Sequence, residues 1–321
     1  QIYTTFVKRI LGMTTAFYSH AACIEHEPGP RHPESPDRLR AIYQRLSCEE
    51  FESLSRRQAP EVAPTVIELM HDPAYVTKIL ECVPSEGFKA IDPDTYMSPG
   101  SGEAALRAIG GVCEAVDLVL TGLADNAFCA LRPPGHHAER DKAMGFCFFN
   151  NVAIAARHAQ AKHGIGKVAV IDFDVHHGNG TQHMFERDPT LFYASSHQFP
   201  AYPGTGAASE TGVGNVFNVP LSPGTGTTAF RAAYTDIILP ALTVFNPDLV
   251  MISAGFDAHT RDPLCQLNVA TEDFAWVTEE LLQIAAKCCE GKLVSTLEGG
   301  YDLQALSDCV AVHVRAMMAT N

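Results

Sequence analysis

Two short stretches, Val168-Ala169-Val170-Ile171 and Leu249-Val250-Met251-Ile252, are apolar at every position rather than at every second one. A strand with one wet face alternates. A strand without alternation is covered on both faces, which is the pattern of a parallel sheet held between layers of helices. Those two runs lie within 167–171 and 248–253, and similar short runs occur near 14–18, 127–131, 191–195, 215–219 and 292–297. Segments of helical period cover 36–47, 72–82, 101–121, 147–163, 226–244, 272–289 and 302–318. Alternation of this kind along the whole length predicts an α/β fold: an open, mostly parallel sheet with helices on both faces and long loops at the C-terminal strand ends. There is no internal repeat. The loops at 84–100 and 197–226 are rich in Gly, Pro, Ser and Thr, and compact folds seldom keep loops of that length without a use for them. The expectation is one catalytic domain over 13–321, with 1–12, ahead of Met13, read as an added or alternative-start segment.

Charge and cysteine usage narrow the partners. With 23 Lys+Arg against 37 Asp+Glu the net charge is −14, which argues against a nucleic-acid backbone and suits a cationic substrate. No run approaches the roughly 18 apolar residues that would span a bilayer, and Gln1–Gly12 lacks the apolar core of a signal peptide. None of the ten cysteines forms a Cys-x-x-Cys pair, so a reduced, cytoplasmic protein is expected, with no membrane partner and with homo-oligomerisation left open.

In an open parallel sheet, ligands bind beyond the carboxyl ends of the strands. Five proposed strand ends deliver reactive side chains there: Arg132-Pro133-Pro134-Gly135-His136-His137, Asp172-Phe173-Asp174-Val175-His176-His177-Gly178-Asn179, Ser195-Ser196-His197, Ala254-Gly255-Phe256-Asp257 and Glu298-Gly299-Gly300-Tyr301. Asp174 and His176 are two apart, so in extended chain they point the same way, and Asp257 can join them from a neighbouring strand. Two carboxylates and one imidazole leave a zinc ion an open position for water and substrate. Taken singly, each of these residues reads as readily as an ion pair or a cap; their convergence is what favours the metal. The tandem His136-His137 supplies candidate acids and bases, with Asp172 and Asn179 as their partners. Tyr301, on a Gly-Gly turn, is a candidate oxyanion donor, although alone it would pass for an ordinary buried tyrosine.

These segments, together with Gly145-Phe146-Cys147-Phe148-Phe149-Asn150-Asn151-Val152, resemble the zinc-dependent histone deacetylase family in order from about Phe17 to Arg315. Asn179, where class I members usually carry Asp, is similar to the class II branch that includes bacterial deacetylase-like amidohydrolases. The resemblance implies the arginase/deacetylase-like fold and hydrolysis of N6-acetyl-lysine in peptides or proteins. It implies zinc on Asp174, His176 and Asp257, acid–base work by His136 and His137 in an undetermined division, and an oxyanion contact from Tyr301. Phe146 and Tyr202, the latter in place of the commoner Phe, would wall a narrow tunnel for the acyl-lysine stem, with Gly145 and Gly300 beside it. It also implies potassium near the zinc, on Asp172, Asp174, His176, Ser195 and Ser196, and more loosely a second monovalent site on Phe185, Asp188, Leu191 and Phe217.

Asp94 is expected at the rim, either taking hydrogen bonds from substrate or simply forming a turn. The segment His32-Pro33-Glu34-Ser35-Pro36-Asp37-Arg38 also matches the family near the mouth. Leu264, after Asp262-Pro263, falls where polyamine-selective relatives carry Glu, and so favours a peptide-borne lysine. The alternatives are an acetylpolyamine deacetylase and a catalytically silent acyl-lysine-binding protein. The second is disfavoured because a binding module needs no proton shuttle.

Overall fold

The computed structural model of the protein describes residues 14–319; the segment 1–12 singled out above lies outside the described residues. Eight strands form the main sheet: β1 (Thr15–Ser19), β2 (Ser55–Gln58), β5 (Asn126–Cys129), β6 (Val168–Asp172), β7 (Leu191–Gln198), β8 (Val216–Leu221), β9 (Leu249–Ala254) and β10 (Leu293–Leu297). A small antiparallel hairpin, β3 (Lys89–Asp92) and β4 (Thr95–Met97), stands apart from it. The sheet order is β2-β1-β5-β10-β9-β6-β7-β8, and every neighbouring pair is parallel. The four central strands β5, β10, β9 and β6 carry no exposed residue, as the unbroken apolar runs demand. Helices cover the sheet, among them Ser101–Leu120, Asn151–His163, Thr271–Cys289 and Leu303–Met318.

All seven expected strands are present to within a few residues. Several short elements escaped the pattern, among them the one-turn helices Ala22–Glu25, Glu49–Phe51 and Pro64–Ile67. Edge strand β2 reads Ser-Arg-Arg-Gln, polar as edge strands often are, and so shows no apolar run. The β3–β4 hairpin occupies the first long loop, and the helix Asn179–Phe185 starts inside the Asp172–Asn179 segment that was read for its chemistry. The expected helix 226–244 is three consecutive pieces, Thr227–Ala232, a π-turn at Ala233–Ile238, and Leu239–Phe245. Pro240 explains the widened turn: it has no N–H to donate and its ring would strike the carbonyl one α-turn back.

Candidate active site

The strand order places the reactive loops side by side, because β5, β10, β9 and β6 are consecutive neighbours and each runs straight into one of them. After β6, the backbone turns so that Asp174 and His176 meet Asp257 from the end of β9. His176 Nδ1 lies 3.1 Å from Asp174 Oδ1 and 3.1 Å from Asp257 Oδ2. The three groups are buried, and their ligand atoms all lie within 4.8 Å of one another. Each carboxylate is braced from behind: the Gly299 N–H donates to Asp174 Oδ2 at 2.8 Å, and the Val175 N–H to Asp257 Oδ1 at 2.8 Å. Gly299 must be glycine, since a Cβ there would sit 2.1 Å from Asp257 Oδ2. The donor set, two carboxylates and an imidazole in a closed polar nest, fits a zinc ion with an open coordination position.

The tandem histidines stand beside this triad with ring centres 4.0 Å apart. His136 Nδ1 meets Asp172 Oδ2 at 3.0 Å, and the same oxygen accepts from the Tyr193 hydroxyl at 3.1 Å. Burial disfavours a charge on His136, but the carboxylates of Asp174 and Asp172 outweigh it and push the imidazole up to about 10. His137 differs. Its Nδ1 lies 2.9 Å from Asn179 Oδ1, while Asn179 Nδ2 donates to Glu139 Oε1 at 2.8 Å. The Glu139 contact fixes the amide orientation, so His137 donates from Nδ1 and keeps the Nε2 lone pair free. Burial, then the neighbouring His136 and His176, hold His137 well below the usual imidazole range. The two adjacent rings are pushed in opposite directions.

A cavity of about 190 Å³ leads down to these groups, lined by Phe146, Tyr202, Leu264, Asp94, Gly145 and Tyr301 together with both histidines and His176. Tyr202 stands edge-on to His137, with centroids 5.1 Å apart, and Phe146 edge-on to Tyr301 at 6.0 Å. Gly145 and Phe146 both take left-handed backbone angles, φ +57° and +68°. The hairpin holds this turn, with Asp94 Oδ1 accepting from the Gly145 N–H at 3.1 Å and Thr95 Oγ1 from the Phe146 N–H at 3.0 Å. Asp94 is therefore both a turn anchor and part of the rim. Gly300 departs from its expected place: it is Gly299 that lines the cavity, and the Gly300 carbonyl accepts from Arg38 Nε at 2.7 Å.

Ser195 pairs in register with Asp172, and its hydroxyl contacts His197 Nδ1 at 2.9 Å; Ser196 contacts the Tyr234 hydroxyl at 3.0 Å. Of the residues read for a second monovalent site, the carbonyls of Phe185, Asp188 and Leu191 converge, but on the side-chain amide of Asn215, at 2.8, 3.0 and 2.7 Å. Each of these carbonyls keeps a second lone pair beside its amide contact, and the Phe217 ring stacks on Phe192.

The sequence reading gave no role to Glu298, Arg38, Glu34 or Asp262. Glu298 Oε2 accepts from the N–H groups of Gly135 at 2.7 Å and His136 at 3.1 Å, which pins the histidine loop to the end of β10. Burial pushes Glu298 up to about 7. Arg38 is fully buried, paired with Glu34 at 2.9 Å, bonded to the Glu298 carbonyl, and stacked 4.9 Å from the Tyr301 ring centre. Asp262 Oδ2 accepts from the Tyr301 N–H at 2.7 Å. The one available signal was the i, i+4 spacing of Glu34 and Arg38, which is common on exposed helix faces too.

Residues 32–317 match the histone deacetylase domain family. Histone deacetylase-like amidohydrolase of Pseudomonas aeruginosa is 37% identical over 310 residues, covering 89% of this chain and 81% of that protein. Polyamine deacetylase HDAC10 of Homo sapiens is 37% identical over 301 residues, covering 89% of this chain and 44% of that protein. Among solved structures, the crystal structure of the HDA15 HD domain superposes with a TM-score of 0.91 at 36% identity, covering 96% of this chain and 90% of that one. Family match, fold and site agree: this chain is a deacetylase-type hydrolase and belongs to the histone deacetylase family.

Proposed function

We propose that residues 13–321 form one catalytic domain that hydrolyses the amide of an N6-acyl-lysine carried by a peptide or protein, releasing the acid and the free lysine amine. The observation that carries this reading is a narrow cavity lined by His136, His137, His176 and Tyr301, with Asp174 and Asp257 grouped on His176. Zinc held by Asp174, His176 and Asp257 would supply Lewis-acid polarisation of the acyl carbonyl and acidify a water. Phe146 and Tyr202 flank a slot suited to an apolar four-carbon stem. His137, neutral with Nε2 free, takes the proton of the attacking water and delivers it to the departing amine. His136 keeps positive charge beside the developing oxyanion, and the Tyr301 hydroxyl, kept protonated by burial, donates to it. Potassium at Asp172, Asp174, His176, Ser195 and Ser196 belongs to the same proposal, supported by the in-register pairing of Asp172 with Ser195. No helix among the described residues is long and apolar enough to cross a membrane, and all ten cysteines are free thiols, which suits the reducing cytoplasm.

The choice of lysine over an acetylated polyamine rests on Leu264, which is 37% exposed at the cavity rim. A polyamine presents a distant ammonium that a rim carboxylate would attract, whereas leucine offers only apolar contact. The test compares kcat/KM for an acetyl-lysine peptide and an acetylated polyamine in wild type and Leu264→Glu. Wild type should prefer the peptide, and the variant should shift toward the polyamine by on the order of 10-fold, the scale of one partly desolvated charge pair. A wild type that prefers the polyamine overturns the substrate assignment, and no turnover of either overturns the hydrolase reading.

A further inference from the structure

A second group of metal-type ligands lies away from the cavity, between the helices Ser101–Leu120 and Asn151–His163. Asp117 on the first helix faces His158 and His163 on the second. Asp117 Oδ1 lies 2.9 Å from His158 Nε2 and 2.7 Å from His163 Nε2. The other oxygen, Oδ2, is held by Lys162 Nζ at 2.6 Å. The ligand atoms of the three residues all lie within 4.8 Å of one another. The side chains are partly buried, 24% exposed for Asp117, 13% for His158 and 17% for His163.

We propose that Asp117, His158 and His163 form a second metal site, for zinc or another borderline divalent transition ion, that clips these two helices together. Two imidazoles with a carboxylate select ions of this class over magnesium or calcium, which prefer all-oxygen shells. Zinc bonds of about 2.0–2.2 Å in a tetrahedral site set ligand atoms roughly 3.3 Å apart, so Asp117 Oδ1 and each Nε2, at 2.9 and 2.7 Å, need to open by only about half an ångström. Replacing the shared hydrogens by an ion does this. Each ring then presents its Nε2 lone pair to the ion and carries its ring proton on Nδ1.

Lys162 acts as the outer partner that turns Oδ1 toward both rings. Although partial burial pushes the Asp117 carboxyl up, hydrogen bonds from Lys162, His163 and His158 keep it low, in the ionised form a metal requires. The remaining exposure leaves a path for the ion and room for a water as fourth ligand. The helix Asn151–His163 ends at this cluster and begins at Asn150, whose side chain caps it by accepting from the Ala153 N–H and donates to the Ala138 carbonyl. At 1.5 Å per residue the clip lies roughly 20 Å from the catalytic loop, so it is a stabilising site and not part of the reaction.

The experiment is zinc stoichiometry of chelator-stripped, refilled protein, with melting temperature as a second readout. Wild type should bind two equivalents. The double variant His158→Gln/His163→Gln should bind one, keep its deacetylase activity, and lose the rise in melting temperature that wild type shows on taking up its second equivalent. Asp257→Ala should retain the equivalent held between the helices even though the cavity site is lost, so failure of this proposal and failure of the catalytic reading are distinguishable. One equivalent in both wild type and the double variant overturns it. Retention of two equivalents by the double variant does so as well.

Discussion

At the scale of single residues, the site works by giving similar side chains different surroundings. His136 and His137 are adjacent in sequence and nearly in contact, yet one leans on a carboxylate and the other on an amide oxygen. That difference of one heavy atom, Asp172 against Asn179, adds to the pull of Asp174 in pushing the two rings toward opposite protonation states. Tyr301 is placed by contacts that leave its hydroxyl free: Asp262 takes its N–H, and Arg38 stacks on its ring. Replacing Tyr301 by Phe keeps both contacts and removes only the donor. We expect kcat for an acetyl-lysine peptide to fall on the order of 10²–10³-fold, the usual loss for one oxyanion donor, with KM and melting temperature nearly unchanged. A variant within roughly 3-fold of wild type would remove Tyr301 from the reaction.

Elements decide how these residues meet. The sheet order was not legible in the sequence, because nothing in a strand's own residues says that β10 lies between β5 and β9. What could be read was that five strand ends carry reactive side chains, and with the two-residue spacing of Asp174 and His176 that favoured grouping them with Asp257. The supports stayed hidden for a physical reason. Glu298 and Arg38 act through backbone N–H and carbonyl groups of distant segments, and a side chain bonded to main chain leaves no sequence pattern; Glu34 in turn holds the Arg38 side chain. Asn215 was hidden likewise, since its amide serves three carbonyls of another loop. The turn at Gly145-Phe146 shows an element shaping the cavity without titrating. A Cβ on Gly145 would lie 2.4 Å from His137 Cδ2, at a φ of +57° that other residues avoid. We expect Gly145→Ala to push the base aside and lower kcat by about 10²-fold, the scale of a 1 Å misplacement, while the protein stays folded. Near wild-type kcat with normal folding would mean that the loop yields and the close approach does not matter.

For the molecule as a whole, the cost of building such a site in a buried sheet appears as pH-dependent stability. Several histidines are packed where no charge is tolerated. His313, on the buried face of the helix Leu303–Met318, lies between Thr278 Oγ1 at 2.6 Å and Ser295 Oγ at 2.9 Å, and burial alone pushes its pKa down to about 3. His71 accepts the Asn150 N–H on Nε2 at 2.9 Å, and burial lowers it to about 4. Above a pH of about 6.5 such a histidine is neutral folded or unfolded and costs nothing. Below it the unfolded chain takes a proton that the folded chain refuses, so stability falls with pH until the folded pKa is reached. Glu298 acts in the opposite sense, because its raised pKa lets the folded state hold a proton that the unfolded carboxylate has lost. The measured slope for wild type is therefore a sum, and the histidine part emerges only as a difference between proteins. His313→Gln keeps an amide donor and acceptor for the two hydroxyls and removes the titration. From urea unfolding between pH 6.5 and 5, above most of the carboxylate range, wild type should lose about 1.4 kcal/mol more per pH unit than this variant, the linkage of one refused proton. The variant should be the less stable protein at pH 7.5 and the gap should narrow steadily on acidification. Parallel stability curves for the two would mean that His313 takes up its proton in the folded state, and that the layer between Thr278 and Ser295 is wetter than its burial indicates.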